Sequence, residues 1–410
     1  MIRALALALL AISPALSRAE AIKVTLLPEG GMQRSGKAYF VKGVGGREHM
    51  EELAQRGGNS VRTWSEGELP QAFESANKFK FTVCAGVWLE KECSWFSYKK
   101  PEQCARQLER IRKVVRQYRD EPQLLFWGLG NECDSGGDDE AYWKQLNCLA
   151  KMVHEEDPAH PTLYAVAGLS SERAGALNQH TPDLDLVGIN TYGGVVSLPQ
   201  HLVKIGWTRP WVVTEYGPRG FWECPKTTWN APVEQTSTEK AAMIRTSYKK
   251  AIKPDGKCLG SYIFIWGHKQ EATATWFGVF TKDEESTATA DVLQEMWTDK
   301  KPANKAPQIK PLKCDADKVT PSQEFTIKAI ASDPEDDPLQ FRWEITADNG
   351  KRDANGHEIP PAPIQGLIQG SEAEVRVKAP EKPGNYRIFV FVSDGKGHAA
   401  TANKPFQVTR

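Results

Sequence analysis

The chain has 410 residues, a length that fits either two or three ordinary domains or one large barrel followed by a smaller domain. Hydrophobic residues make up 40% of the sequence and charged residues 25%, which is typical of a soluble globular protein. The 52 Lys and Arg residues are balanced by 52 Asp and Glu residues, so the formal net charge is zero. This balance gives no support to nucleic acid or an anionic membrane surface as a partner.

The first 21 residues, "MIRALALALLAISPALSRAEA", have the pattern of a secretory signal peptide. One early positive charge, Arg3, precedes an apolar run, and small residues surround Ala19 and Ala21. The apolar run is too short for a comfortable membrane span. We therefore predict a secreted or periplasmic protein that does not insert into a membrane once the signal is removed.

From residue 22 to residue 300 an apolar strand, a loop and an amphipathic helix follow one another repeatedly. The eight strand candidates, in chain order, are "YFVKGVGG", "NSVRTW", "FTVCAGVWL", "LLFWGLGNE", "TLYAVAG", "DLVGINTY", "PWVVTEYG" and "GSYIFIWG". The clearest helices are "PEQCARQLERIRKVVRQYRD", "DDEAYWKQLNCLAKMVHEED" and "STEKAAMIRTSYKKAIK". Apolar strands that alternate with helices predict a parallel sheet, and eight such units in about 250 residues predict a (β/α)8 TIM barrel of the α/β class. An open doubly wound sheet is the alternative, but "GVGGRE" matches its glycine-rich fingerprint only weakly.

Two structural predictions concern the residues after the barrel. Residues 301–311 are rich in Lys and Pro and carry no periodicity, which predicts a linker. Residues 312–410 alternate polar and apolar residues, with Pro, Gly, Asp and Asn at the turns, which predicts an all-β immunoglobulin-like sandwich. In this part "SDPEDDPLQFRW" and "PGNYRIFVFVSDGKG" resemble the PKD and cadherin-like modules that follow exported bacterial enzymes.

An acidic cluster, Asp333, Glu335, Asp336 and Asp337, lies in the first of these two stretches. Carboxylate oxygens of this kind could ligate calcium. A solvated turn is the alternative, and the sequence by itself favours the turn.

Eight cysteines in an exported protein permit disulfides. Cys93 and Cys104 flank a short loop and are the pair that we predict first, whereas Cys84 lies in an apolar strand and is expected to be a buried thiol. No Cys-x-x-Cys motif is present, so a zinc site or a redox motif has no support.

Two glutamates close apolar strands of the predicted barrel: Glu132 ends the fourth strand and Glu215 ends the seventh. The carboxyl ends of barrel strands meet at one mouth, so both side chains should face the same cleft. Cleavage of a glycosidic bond uses such a pair, one carboxyl protonated and the other ionised. The apolar "FWGLG" before Glu132 predicts a raised pKa for its carboxyl. Arg62 and Tyr192, which end the second and sixth strands, would favour the charge on Glu215.

Each of these residues also has an ordinary structural explanation. Glu132 could cap a helix or form a structural ion pair, and Arg62 could pair with Glu66. Tyr192 has a similar alternative, and a lone His268 is often no more than a satisfied polar group. The presence of both glutamates at strand ends favours the catalytic interpretation.

Further candidates lie at the same strand ends. Asn131 and Asn190 are polar neighbours of the glutamates, and the indoles of Trp64, Trp88 and Trp266 could stack on the flat apolar faces of sugars. The long segment after Glu215, which contains Trp222, is predicted to form a wall of the cleft.

The motif pair "WGLGNE" and "VVTEYG" resembles the signature of the clan A glycoside hydrolases. "FVKGVGG", "LAQRGGNSVRTW" and "FWGLGNE" resemble the barrel domain of family 2, and "DLVGINTYGG", "PWVVTEYGP" and "GSYIFIWGHKQEATATWFGVF" resemble the family 72 glucanosyltransferases. The resemblance implies that Glu132 is the acid/base, Glu215 the nucleophile and Asn131 the residue that holds the sugar 2-hydroxyl. It further implies that Arg62 and Tyr192 orient Glu215 and that Trp266 forms the floor of the sugar subsite.

We therefore expect a retaining β-glycoside hydrolase that acts on an oligosaccharide or polysaccharide, with the resemblance leaning towards a β-glucan. No cofactor and no metal ion is expected in the reaction. A glucan-remodelling transglycosidase and a carbohydrate-binding protein without catalysis are the alternatives.

Overall fold

A computed structural model describes residues 21–135, 139–252, 257–314, 316–348, 350–353, 356 and 358–410. The predicted signal peptide lies outside the described residues except for Ala21, so it stays a prediction. Within the described ranges, no helix combines the length and the apolar character needed to cross a bilayer.

A small antiparallel sheet, which we did not predict, precedes the barrel. Its strands are β1 (Val24–Leu26), β2 (Met32–Arg34) and β3 (Lys37–Ala38). Val24 and Met32 pack against apolar residues near the starts of the barrel strands. The sheet therefore covers the amino-terminal end of the barrel and leaves the other end open.

Eight parallel strands close into a barrel in chain order, with the last strand paired to the first. They are β4 (Val41–Gly45), β5 (Ser60–Arg62), β6 (Thr82–Val87), β7 (Leu124–Asn131), β8 (Thr162–Ala167), β9 (Leu186–Asn190), β10 (Trp211–Tyr216) and β11 (Cys258–Ile263). The pairing of β11 with β4 confirms the predicted TIM barrel and excludes the open sheet, which would leave two edges. Strands β6, β10 and β11 are buried along their whole length, because helices cover parallel strands from outside.

The described helices surround the barrel. They are α1 (Met50–Gln55), α2 (Leu69–Phe79), α3 (Pro101–Tyr118), α4 (Glu140–Glu156), α5 (Ser171–His180), α6 (Leu198–Lys204), α7 (Ser237–Ser247) and α8 (Ala288–Thr298). The three helices predicted from sequence correspond to α3, α4 and α7. Helix α7 begins at a capping box in which Thr236 and Glu239 each bond the other's backbone N–H, and it continues into a π turn, Tyr248–Ile252.

The carboxy-terminal part is all β, as predicted. Its strands are β12 (Gln308–Ile309), β13 (Lys318–Val319), β14 (Glu324–Lys328), β15 (Ala331–Ser332), β16 (Gln340–Ala347), β17 (Ile368–Gln369), β18 (Glu374–Lys378), β19 (Gly384–Ser393) and β20 (Ala399–Val408). A four-stranded sheet, β13-β20-β19-β16, and a three-stranded sheet, β14-β18-β17, share one hydrophobic core. They form a β-sandwich, whose assignment as a PKD or immunoglobulin-like module stays a prediction.

The predicted linker is docked on the barrel and is not a free tether. The Ala306 N–H donates to Asp291 Oδ2 of α8, and the Ile309 N–H donates to Thr238 Oγ1 of α7. These bonds fix the path of residues 301–311, although the predicted domain boundaries themselves stay predictions.

The predicted disulfide between Cys93 and Cys104 is not found, and no disulfide joins cysteines in the described part of the chain. The Cys104 Sγ bonds the carbonyl oxygen of Tyr98, while Cys93 closes a tight turn through paired backbone bonds with Phe96. Cys84 is a buried thiol as predicted, and burial raises its pKa to about 12.

Candidate active site

The carboxyl ends of the barrel strands open into a cleft with a volume of about 1270 Å³. The structure brings the predicted site residues to this end of the barrel. Those that line the cleft are Trp64, Trp88, Asn131, Glu132, Asn190, Tyr192, Glu215 and His268, whereas Trp266 borders the cleft with a fully buried side chain. Arg62 donates hydrogen bonds to two of them, Glu215 and Asn131.

Glu215 lies near the end of β10 and accepts a hydrogen bond from three side chains. Arg62 Nη1 and Trp64 Nε1 each donate to Oε1 at 2.9 Å, and the Tyr192 hydroxyl donates to Oε2 at 3.0 Å. Glu215 is only 7% exposed. These three donors, one of them a guanidinium, surround the Glu215 carboxylate and would stabilise a negative charge there.

Arg62 connects three barrel strands at the base of the cleft. Besides Glu215, its Nη1 donates to the Thr214 carbonyl at 2.8 Å, and its Nη2 donates to Asn131 Oδ1 at 2.6 Å. The alternative pairing with Glu66 is not formed, since Glu66 pairs with Arg110 instead. The predicted contact between Arg62 and Glu215 is therefore present, as a buried ion pair.

Glu132 follows the last residue of β7 in a left-handed backbone conformation, with φ at 51°. Gly130, at φ 83°, starts this turn of the chain, and a Cβ there would come within 2.9 Å of Leu89. The turn directs the Glu132 side chain into the cleft, where its Oε1 accepts a bond of 2.6 Å from Asn190 Nδ2. Among the described residues no basic side chain forms an ion pair with Glu132, and Asp139, not Glu132, caps the following helix.

The pKa of the Glu132 carboxyl is raised above its ordinary value, as the sequence predicted. Burial is the main cause, and the nearby charge of Glu215 adds to it, while the bond from Asn190 acts in the opposite direction. Burial and the charge of Glu215 also raise the pKa of Tyr192, so its hydroxyl stays a donor. One cleft therefore contains one carboxyl whose pKa is raised, Glu132, and one that accepts bonds from a guanidinium, an indole and a phenol, Glu215.

Two asparagines and Arg62 connect the glutamates through a chain of hydrogen bonds. Asn190 Nδ2 also donates to Asn131 Oδ1 at 3.1 Å, and that same oxygen accepts the bond from Arg62. Asn190 is oriented by Thr214, whose Oγ1 donates to Asn190 Oδ1 at 2.7 Å and so turns the amide nitrogen towards Glu132. Thr214 was not predicted as a site residue, although a polar residue just before Glu215 in an apolar strand was a signal for it.

The aromatic residues divide between the cleft surface and the core. Trp88 is 42% exposed and Trp64 is half-buried beside Glu215, so both present ring surface to the cleft. Trp222 is 53% exposed and packs edge-on against Tyr192 with ring centroids 5.4 Å apart. It lies in the segment predicted to be a wall, and it lines the cleft.

The prediction that Trp266 forms the floor of a sugar subsite is not matched by its position. The side chain is fully buried, donates from Nε1 to the His49 carbonyl at 3.2 Å and packs against Phe280. Strand β11 ends at Ile263, three residues before Trp266, and the indole packs in the main hydrophobic core beside Phe280 and Trp297.

The remaining cleft residues lie in loops; His268 was among the predicted site residues, whereas Glu48 and Glu223 were not. The backbone N–H of His268 donates to Glu48 Oε2 at 3.2 Å, and its buried Nε2 has no hydrogen-bond partner in the described residues. Glu223 accepts from the N–H groups of Gly193 and Gly220 and so fixes two loops at the rim.

Comparison with known proteins matches the barrel to a described family. The family model for the TIM barrel domain of glycosyl hydrolases family 2 matches residues 80–299. A β-glucuronidase of Bacteroides fragilis is 37% identical over 87 residues, which are 21% of this chain and 11% of that protein. A β-galactosidase of Vibrio vulnificus is 23% identical over 221 residues, 46% of this chain and 20% of that protein.

Solved structures of similar fold include a β-glucuronidase of Bacteroides uniformis, with a TM-score of 0.53 and 14% identity, covering 94% of this chain and 48% of that one. An FMN-binding β-glucuronidase of Facaelibacterium prausnitzii has a TM-score of 0.53 and 15% identity, covering 95% of this chain and 59% of that one. The chain thus spans about half the length of these structures and a smaller share of the curated relatives. Because the family match covers more than half of the chain and includes both glutamates that close barrel strands, this chain belongs to glycosyl hydrolases family 2.

Proposed function

We propose that this chain is a retaining β-glycoside hydrolase with Glu215 as nucleophile and Glu132 as general acid/base. The observation that carries the proposal is the contrast between two carboxyls in one cleft. Glu215 accepts three hydrogen bonds, one from a buried guanidinium, while the pKa of Glu132 is raised by burial and by Glu215. Retaining hydrolysis requires this division between an ionised and a protonated carboxyl.

In the first step a Glu215 oxygen forms a bond with the anomeric carbon while the bond from that carbon to the leaving oxygen breaks. Glu132 gives its proton to the leaving oxygen, so the aglycone departs as a neutral alcohol. Burial of Glu132 supports this role, because it raises the pKa of the carboxyl, and a carboxyl with a raised pKa stays available as an acid to higher pH.

In the second step a water molecule attacks the same carbon and the ester bond to Glu215 breaks. Glu132, now ionised, takes the proton of that water and returns to its starting state. Arg62, Trp64 and Tyr192 stabilise the Glu215 carboxylate as it is released, since their bonds to it are already formed in the free protein.

Asn131 is placed to hold a sugar hydroxyl beside the anomeric carbon. Its Oδ1 is occupied by bonds from Arg62 and Asn190. No hydrogen bond between described residues uses its Nδ2, which leaves that N–H2 group for the 2-hydroxyl of the sugar. The exposed rings of Trp88 and Trp222 would cover apolar faces of further sugar units.

The charges of the cleft favour a neutral sugar over an anionic one. Among the described residues, six glutamates but only two strong bases line it: Glu48, Glu68, Glu132, Glu215, Glu223 and Glu271 against Arg47 and Lys269. Both bases are already engaged, Lys269 with Glu271 at 2.7 Å and Arg47 with Gln71 at 2.7 Å. The named relatives include both a β-glucuronidase and a β-galactosidase, and this charge balance supports the second class of substrate for this chain.

The test is a panel of aryl β-glycosides that includes a β-galactoside, a β-glucoside and a β-glucuronide, with the first product anomer followed by proton NMR. We expect a neutral β-glycoside to be cleaved with retention, and Glu215→Gln to abolish turnover. Preference for the glucuronide would refute the neutral sugar but not the mechanism. Inversion would refute the retaining mechanism, and no cleavage of any member of the panel or of β-linked oligosaccharides would refute the enzyme proposal. Products longer than the substrate would identify the transglycosidase alternative.

A further inference from the structure

Three aspartates from two separate turns of the sandwich lie close together in the structure. Asp333 and Asp337 lie in the turn after β15, and Asp394 lies in the turn between β19 and β20. Each offers one carboxylate oxygen, and the three oxygens lie within 4.8 Å of one another. This group differs from the predicted acidic cluster. Glu335 pairs with Lys305 and Asp336 is exposed, so neither belongs to it, whereas Asp394 does.

Two of these carboxylates have an oxygen without a partner. Asp333 is only 8% exposed, yet its Oδ2 is buried and accepts no hydrogen bond from the described residues. The Oδ2 of Asp337 is in the same condition. Burying carboxylate oxygens beside one another with no donor costs free energy, so the arrangement calls for a cation.

The other oxygens are held in place by donors, which gives the three carboxylates a fixed geometry. Asp333 Oδ1 accepts from the N–H groups of Glu335 and Asp337 at 2.9 and 3.1 Å. Asp394 Oδ1 accepts from the N–H groups of Lys396 and His398 at 2.7 and 3.1 Å.

Three side chains also contact the group. Asn304 Nδ2 and His398 Nδ1 lie 2.7 and 3.1 Å from Asp394 Oδ2. Lys396 Nζ pairs with Asp337 Oδ1 at 2.6 Å, but its side chain is more than half exposed and reaches the group from the solvent side. A single exposed ammonium leaves both unpartnered oxygens unsatisfied and is free to move away when another cation binds.

We propose that Asp333, Asp337 and Asp394 form a calcium site. All the donors are carboxylate oxygens, the type that Ca²⁺ prefers, and Ca–O distances of about 2.3–2.6 Å allow two ligand oxygens to lie up to about 5 Å apart. Water completes the shell. None of the three aspartates lines the cleft that contains the glutamates, so the site does not depend on the proposed catalytic activity.

Calcium at this place would stabilise the junction between linker and sandwich. Asn304 belongs to the linker and bonds Asp394, and Lys305 bonds Glu335 of the same turn. An ion that holds the Asp333 turn and the Asp394 turn together also fixes the surface on which the linker lies, and binding to the folded state alone raises its stability.

The test uses the full chain, freed of metal ions with a chelator and titrated with CaCl₂ by calorimetry and thermal unfolding. We expect one equivalent to bind the wild type and to raise its melting temperature. Asp333→Asn should remove both effects. The asparagine oxygen can still accept the N–H bonds of Glu335 and Asp337, so this variant should fold, and without calcium it should melt no lower than the wild type.

Asp336→Asn is the matched control, because it removes one charge from the same turn at an exposed position. It should bind calcium as the wild type does. Should Asp333→Asn fail to fold, Asp337→Asn carries the same expectation. The site is refuted if the wild type shows neither binding heat nor a shift in melting temperature, or if the folded Asp333 or Asp337 variant binds calcium with wild-type affinity.

Discussion

The ends of β10 and β7 hold the same side chain in contrasting surroundings. At the end of β10, Glu215 accepts bonds from a guanidinium, an indole and a phenol. After β7, Glu132 accepts one bond from a neutral amide, and burial raises the pKa of its carboxyl. The difference teaches that side chains supplied by neighbouring strands can give two chemically identical glutamates different electrostatic surroundings within one cleft.

The largest expected effect comes from removing each carboxyl and supplying azide. In Glu132→Ala, an activated aryl glycoside should still transfer its sugar to Glu215. Azide should then attack the anomeric carbon and displace the Glu215 carboxylate, which gives the β-glycosyl azide. Glu215→Ala should let azide attack from the side of the missing nucleophile and give the α-glycosyl azide. Without azide, loss of the acid/base should slow turnover by about 10²–10⁴-fold. Product configuration by NMR checks the assignment, and exchanged products would mean exchanged roles.

A second experiment removes the guanidinium that pairs with Glu215, and with it the main difference between the surroundings of the two glutamates. Arg62→Ala leaves a buried carboxylate without its ion pair, and such losses cost about 3–5 kcal/mol of unfolding free energy. Activity should fall as well, because Asn131 loses a donor to its Oδ1. Denaturant unfolding measures the first effect and steady-state kinetics the second.

The double variant Arg62→Ala with Glu215→Gln is the control for that experiment. It removes the unpaired charge, so part of the stability lost in Arg62→Ala should return. Additive losses in the double variant would show that Arg62 acts through packing alone and not through the charge of Glu215.

The strand ends were predictable from sequence because they follow a rule of the fold. Eight apolar strands in order fixed which residues meet at one mouth, and so Glu132, Glu215 and Arg62 were brought together correctly. The docked linker and the sheet β1–β3 were not predicted, since short strands and polar loops carry little periodicity.

Trp266 shows why the orientation of a side chain could not be predicted from the sequence pattern. The apolar run that contains it continues past Ile263, where the strand ends, so the pattern placed the indole at the cleft while the chain turns it into the core. Thr214 shows the converse, since its role depends on a hydrogen bond to Asn190, on a different strand. Contacts across strands depend on register and rotamer, which composition and spacing do not encode.

A smaller effect should appear in the pH dependence of Asn190→Ala. The bond from Asn190 lowers the pKa of Glu132, so its loss should raise that pKa further. A general acid works in its protonated form, and the alkaline limb of kcat/KM should therefore move to higher pH. Thr214→Val, which frees the amide without removing it, should move the limb in the same direction but less far. A limb that moves to lower pH, or does not move, would contradict the role of this bond.

The smallest effect concerns stability, and it has opposite signs at the two glutamates. A carboxyl whose folded pKa is raised is largely neutral in both states below about pH 4, and above its folded pKa it must be ionised inside the protein. The wild type therefore loses stability as pH rises through this range, and Glu132→Gln should become more stable than the wild type at about pH 8 but not at about pH 4. Glu215→Gln should instead be less stable at about pH 8, because Arg62 is left buried without its partner. Denaturant unfolding at both pH values measures the two differences, and equal signs at the higher pH would mean that the two carboxyls are not treated differently by the fold.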